Sequence, residues 1–183
     1  VDVVGAIEAM RDGRGRVFFA MGGNFATATP DTDATHAALR NCELTVHVAT
    51  KLNRSHLVHG KHALILPCLG RTEVDLQAGG PQAVTVEDSM SMVHLSAGIN
   101  DPASPELLSE PAIVARLAQA TLGKRSDTPW RWLADDYDRI RDQIARVFED
   151  FHDFNARVRV PGGFRLTNTA ALRQWKTATD KAN

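Results

Sequence analysis

Three short apolar runs constrain this chain more than any other feature. They are RVFFAM (Arg16 to Met21), LTVHVA (Leu44 to Ala49) and ALIL (Ala63 to Leu66), the last closed by Pro67, which cannot donate to a ladder. Rich in Val, Leu, Ile and Phe, each reads as a buried strand. The connections between them are helix-sized. Strands and helices alternating at this spacing predict a parallel sheet, because parallel neighbours need a long return path, and right-handed crossovers. The expected fold class is α/β: a Rossmann-like parallel sheet flanked by helices, with a C-terminal helical extension.

The connections support this. Val4, Ile7 and Met10 recur at helical spacing, and Gly13 and Gly15 follow as a stop. Thr29-Pro30-Asp31 predicts a helix start, with Thr29 as N-cap, Pro30 at N1 and Asp31 in the first turn. That helix should reach about Asn41 and turn Ala34, Ala37 and Ala38 inward. A short helical turn is expected over Ser55 to Gly60. Gln77 to Gln82, QAGGPQ, reads as a loop, and Val84 to Val86 and Met90 to Leu95 read as extended segments. Ser109-Glu110-Pro111 opens a helix with Ile113, Leu117 and Ala120 on one face, stopped at Gly123. Asp135 opens a longer one carrying Tyr137, Ile140, Ile144, Val147 and Phe148; Phe151 and Phe154 continue its apolar set, and PGGF at 161–164 ends it. SDTPW is a boundary, giving an expected division into residues 1–125 and 126–183.

Length and charge bound the partners. A chain of 183 residues suits one domain, or one with a small appendage. A net charge of −1 provides no global pull toward nucleic acid or an anionic membrane. No apolar run approaches the roughly 18 residues that span a bilayer. Two cysteines, Cys42 and Cys68, make no disulfide framework, and a reducing, cytoplasmic setting is the expectation. No CxxC exists to build a zinc ribbon or an iron–sulfur ligand set. The opening VDVVGAIEAM reads as the middle of a helix, so a piece of a longer chain is expected.

In an open parallel sheet, ligands bind beyond the carboxyl ends of the strands. Three corners fall there: Gly22-Gly23-Asn24, Thr50-Lys51-Leu52-Asn53, and Pro67 to Arg71. A glycine pair lets a phosphate or ribose approach the main chain, and Asn24 adds an amide that donates and accepts. Lys51 or Arg71 could balance a pyrophosphate. Thr50 and Asn53 could read a ribose or a base edge. The competing account is a plain tight turn, since Gly and Asn both tolerate positive φ. Neither GxGxxG nor GxxxxGK[ST] is present, so a conventional dinucleotide fingerprint and a P-loop are both unsupported.

The remaining candidates are structural. His56-x-x-His59-x-x-His62 lacks the i, i+4 spacing of a helical metal site and has no acidic partner nearby, so loop packing is the expectation and no metal ligand is assigned. Cys42 and Cys68 fit as small core residues. Trp130, Trp132 and Trp175 read as caps on the core. No catalytic constellation is visible.

The run VFFAMGGNFATATPD, with TKLNRSHL, LPCLGRTE and VTVEDSM after it, resembles the third domain of molybdopterin oxidoreductases, in particular formate-dehydrogenase-like members. The likeness extends over the whole chain. It implies that Gly22, Gly23 and Asn24 face one molybdopterin guanine dinucleotide. Where the family commonly carries Ser-Asp after the second strand, this chain has Ala49-Thr50, with Lys51 and Asn53 as substitutes. The family's acids fall at Glu73 and, at the start of a later helix, near Glu110. The resemblance implies a full-length oxidoreductase holding molybdenum between two such dinucleotides. It places the molybdenum ligand, and any 4Fe-4S cluster, outside these residues. It also implies a small-molecule redox substrate, formate being the candidate, and an electron-transfer partner. Two other readings compete: a stand-alone nucleotide-binding or regulatory module, and an interaction domain whose corners are only turns.

Overall fold

Strand β2 (Leu44–Ala49) organises the first half of the chain. It lies between β1 (Val17–Met21) and β3 (His62–Pro67) in a parallel sheet of order β1-β2-β3, with Phe19 opposite Val46 and Val46 opposite Leu64. The computed structural model describes residues 2–182. The fold is α/β, as expected. The chain packs as two units, Val1–Gly70 with Pro102–Ile113 and Arg71–Asp101 with Val114–Asn183. This packing division interleaves the chain, whereas the sequence reading placed one cut at 125/126.

In the first unit, α1 (Val3–Arg11) is capped by the Asp2 carboxylate, which accepts from Gly5 N–H at 2.7 Å. It packs on α3 (Thr32–Arg40). Between β1 and α3 sits α2 (Phe25–Ala28), a single turn. A 3-10 turn, Arg54–Leu57, follows β2. Met10, Ala26, Ala38, Leu39, Cys42 and Val58 form the core, with Ile7, Phe18 and Phe25 packed against it. The Cys42 thiol donates weakly to Ala38 O, as a small core residue does, and burial pushes its pKa up.

Several expectations change. Only β2 is a buried strand. Val17 in β1 is 62% exposed, and every residue of β3 is exposed, Leu64 by 50%. Both are end strands of the sheet, paired on one side alone. Helix α3 starts later than read, because Asp31 is its N-cap and accepts from Ala34 N–H at 2.9 Å. Thr29 is diverted, its hydroxyl lying 2.7 Å from that of Thr35. The buried face of α3 is accordingly Thr35, Ala38 and Leu39, while Ala37 is exposed.

In the second unit, the expected loop at 77–82 is a hairpin. β4 (Asp75–Gln77) and β5 (Gly80–Gln82) pair antiparallel. β6 (Val84–Glu87) and β7 (Met92–Ser96) follow, also antiparallel. Helix α4 (Glu110–Leu122), whose first four residues belong to the first unit, begins where Ser109-Glu110-Pro111 predicted, but its buried residues are Ala112 and Ala115, while Leu117 is 44% exposed. The helical C-terminal region holds α5 (Trp130–Ala134), α6 (Tyr137–Val147) and α7 (Phe154–Val158). Val147 and Phe148, expected inside, are exposed, as is Trp132, which carries the Arg139 guanidinium over its ring at 4.5 Å. β8 (Phe164–Arg165) adds antiparallel to β7. Val93, Phe154, Val158 and Phe164 form this unit's apolar cluster.

Arg141 is the buried polar anchor of the second unit. It donates to Asn155 Oδ1 at 2.7 Å, to Ala83 O at 2.9 Å and to the Asp138 carboxylate. One guanidinium thus joins α6, α7 and the approach to β6. Arg141→Met takes the donor from Asn155 Oδ1 and Ala83 O, while Asp138 keeps Arg159, and should lower the unfolding free energy by roughly 2–4 kcal/mol. Denaturant unfolding checks this; a loss below about 1 kcal/mol contradicts the assigned role.

Candidate functional site at the carboxyl tips of the strands

The chain leaves β1 through two consecutive left-handed residues, Gly22 (φ +65°) and Gly23 (φ +69°). Gly22 N–H still bonds Val48 O at 2.8 Å, so the ladder runs one residue past the strand before the chain turns away. A side chain at Gly23 would meet nothing within 4 Å, so backbone conformation rather than space demands glycine there. The result is a sharp exit into α2 with main chain uncovered at the corner.

That corner is braced from the neighbouring loop. Asn53 Nδ2 donates to Gly23 O at 2.8 Å. Ser55 Oγ donates to Asn24 Oδ1 at 2.8 Å and accepts from Ala26 N–H at 3.0 Å. Asn24 sits at the N-cap of α2 without capping it through its own side chain. The Ser55 hydroxyl, 29 residues away in sequence, satisfies the orphan amide instead. Asn53 in turn accepts from Ser55 N–H at 2.9 Å. Both asparagines therefore spend part of their amides on each other's loops.

Glu110 joins them. Leu69 N–H bonds Leu108 O at 3.0 Å, which fixes the residues ahead of α4 against the exit from β3. A side chain placed on Gly22 would stand 3.6 Å from Glu110 Oε1. Gly22, Gly23, Asn24, Asn53 and Glu110 are thus one cluster, 88 residues apart at their extremes in the chain. Thr50 and Lys51 lie on the same loop as Asn53, both exposed. Arg71 and Glu73 belong to the second unit, where Glu73 bridges Asn100.

Sequence reasoning missed Ser55, which it absorbed into a helical turn, and it missed the burial of His47. His47 lies in β2, only 4% exposed, with its ring centroid 5.0 Å from that of His56. The Nε2 atoms of both rings are buried without a hydrogen-bond partner. Burial holds the His47 pKa below its ordinary value, and the neighbouring His56 and His59 push the same way. The available signal was position: residue 47 lies mid-run in LTVHVA, in the central strand of the parallel sheet, where Thr45 to Val48 are all buried.

Chemically, the cluster offers a carboxylate acceptor, an amide donor, an exposed ammonium and hydroxyl, and approachable main chain. These groups bind and orient a polar ligand. The cluster holds no nucleophile hydrogen-bonded to a general base.

No family model matches this sequence. It is 58% identical over 183 residues to an uncharacterized oxidoreductase of Mycobacterium tuberculosis, covering 100% of this chain and 24% of that protein. It is 52% identical over 180 residues to protein YdeP of Escherichia coli K12, covering 98% of this chain and 24% of that protein. The chain therefore spans about a quarter of the length of the curated relatives it matches. Among the described residues no helix is long and apolar enough to cross a membrane.

Two predictions follow from this geometry. Ser55→Ala leaves Asn24 Oδ1 and Ala26 N–H without their shared partner and should cost roughly 1–3 kcal/mol of unfolding free energy; a change within about 0.5 kcal/mol would show that the bridge contributes nothing. For His47, a depressed imidazole pKa in the folded state means that the unfolded chain binds the extra proton first. Its stabilising contribution is fully present above the ordinary value of 6.5 and is lost as the pH falls below it. Unfolding free energy measured from neutral to mildly acidic pH should decline, and His47→Leu should flatten that decline; an unchanged slope excludes His47 as its source.

Proposed function

We propose that this chain forms one wall of a guanine dinucleotide site in a molybdopterin-dependent oxidoreductase. The observation that carries the reading is the gathering of Glu110 and Asn24 around the bare Gly22-Gly23 corner at the carboxyl tips of β1 and β2. Ligands of open parallel sheets bind at such tips. The oxidoreductase names of the Mycobacterium relatives support the redox class.

The residues present fit the nucleoside end of such a cofactor. A carboxylate is a poor neighbour for a phosphate but a good one for guanine, whose N1–H and 2-amino group present two parallel donors. Glu110 is suited to accept both, or to accept from a ribose diol. Asn24 Nδ2 donates to a carbonyl or hydroxyl oxygen. Lys51, exposed beside Asn53, supplies a cation for the pyrophosphate, and the Thr50 hydroxyl a further contact to sugar. The two glycines keep side chains from standing between ligand and main chain. When bound, the molybdenum–pterin centre supplies the electron-transfer step, and the protein holds and orients it. Formate or a similar small molecule is the proposed substrate, oxidised with transfer of electrons to a separate partner.

The test uses the full-length protein expressed with an intact cofactor pathway. Elemental analysis should find molybdenum or tungsten, and acid extraction should release guanine nucleotide. Glu110→Ala should weaken retention roughly 10- to 100-fold, the loss of a charge-assisted pair of hydrogen bonds. A full-length protein with neither metal nor guanine nucleotide sinks the proposal. Tight GDP binding by residues 1–183 alone would favour a self-sufficient nucleotide module instead.

A further inference from the structure

The 3-10 turn Arg54–Leu57 opens with a capping box. In such a box the third helical residue reaches back to accept from the N-cap amide. Glu or Gln ordinarily fills that position, and its oxygen accepts across the neutral range. Here the residue is His56, and its Nδ1 accepts from Asn53 N–H at 2.9 Å. A neutral imidazole has one lone pair. For Nδ1 to accept, the ring hydrogen must be on Nε2. Protonation places a hydrogen where the lone pair was, and the Asn53 N–H then faces a donor. Nδ1 also lies 3.1 Å from the Asn53 carbonyl oxygen, so the charged ring exchanges one partner for another while the Asn53 amide loses its own.

Asn53 is the residue whose side chain clamps Gly23 O and whose Oδ1 holds Ser55, the bridge to Asn24 and Ala26. The state of the His56 ring therefore reaches the glycine corner through one residue. Helix α2, packed on this turn, is Phe-Ala-Thr-Ala and has no titratable side chain. Strand β2 contributes His47, 5.0 Å away between ring centroids. The turn itself contributes Arg54, and the adjoining loops Lys51 and His59. Arg54 and Lys51 are cationic, and none of these residues is a carboxylate.

We infer that His56 is a positioning residue for the strand-tip site: its neutral ring holds the Asn53 clamp, so the Gly22-Gly23-Asn24 corner is ordered at neutral pH and slackens in mild acid. The inference rests on the nucleotide-binding reading for its ligand, though not for the clamp itself.

The experiment is hydrogen–deuterium exchange read by mass spectrometry on the cofactor-free full-length protein, following the peptide over residues 50–57, alongside calorimetric titration with GDP. In the wild type, protection of that peptide should fall roughly five- to tenfold between about pH 7.5 and about pH 5.5, the size expected for losing one cap bond. His56→Gln, which keeps an acceptor that does not titrate, should hold its protection at both pH values. His56→Ala should be as poorly protected at the higher pH as the wild type is at the lower. GDP affinity should weaken with acid in the wild type and not in His56→Gln. Protection that is unchanged in the wild type, or that falls equally in His56→Gln, overturns the inference. So does a GDP affinity independent of pH in the wild type. If GDP binds to no variant at either pH, the nucleotide reading fails, and the exchange pattern still decides whether His56 governs the clamp.

Discussion

One hydroxyl group holds the carboxyl end of the sheet together. Ser55 Oγ gives its hydrogen to Asn24 and takes one from the Ala26 amide, so the loops leaving β1 and β2 share a single atom. Parallel strands lack the tight turns that fix antiparallel neighbours, so their exits must be fastened by side chains. At the opposite end the fastening is ionic and exposed: Glu43, just before β2, faces Lys61 at 2.8 Å and Arg16 at 3.8 Å. Exposed pairs of that kind contribute little. The buried Ser55 bridge is the stronger constraint.

This division of labour explains why α2 can exist. Four residues make too short a helix to stand alone, since nucleation fixes several dihedrals for one bond. Asn24 supplies no cap through its side chain. The turn survives because Ser55 satisfies the otherwise orphaned amide of Ala26, a residue fully buried in the core. Local structure at the site is thus a product of tertiary contact, which makes its geometry sensitive to a residue on a different loop.

The sequence made some of this legible. LTVHVA, a run rich in β-branched residues between polar corners, marked β2 at its observed bounds, and Ser109-Glu110-Pro111 marked the start of α4. Both signals are local and chemically unambiguous. The cap of α3 was displaced because Thr29 and Asp31 are both good cap residues, and only the contact of Thr29 with Thr35 decides between them. β8 was unreadable: two residues long, it pairs with a strand some 70 positions earlier. The β4–β5 hairpin hid inside a polar, glycine-rich stretch that satisfies loop statistics equally well. At the site, the glycine pair and both asparagines were visible as types. That Asn53 braces the corner, that Ser55 joins it and that Glu110 arrives from α4 depend on folding and leave no mark in spacing.

Strand β3 has a further consequence. Its six residues carry Leu64, Ile65 and Leu66 in the open, and its outer backbone edge lacks a ladder neighbour in the sheet. No charged side chain interrupts Ala63 to Leu66, and Pro67 guards only the last position. Such an edge is a template. Produced in isolation, residues 1–183 would tend to zip strand to strand with copies of themselves, and a lysine introduced at Ile65 would be the simplest way to keep the isolated piece in solution.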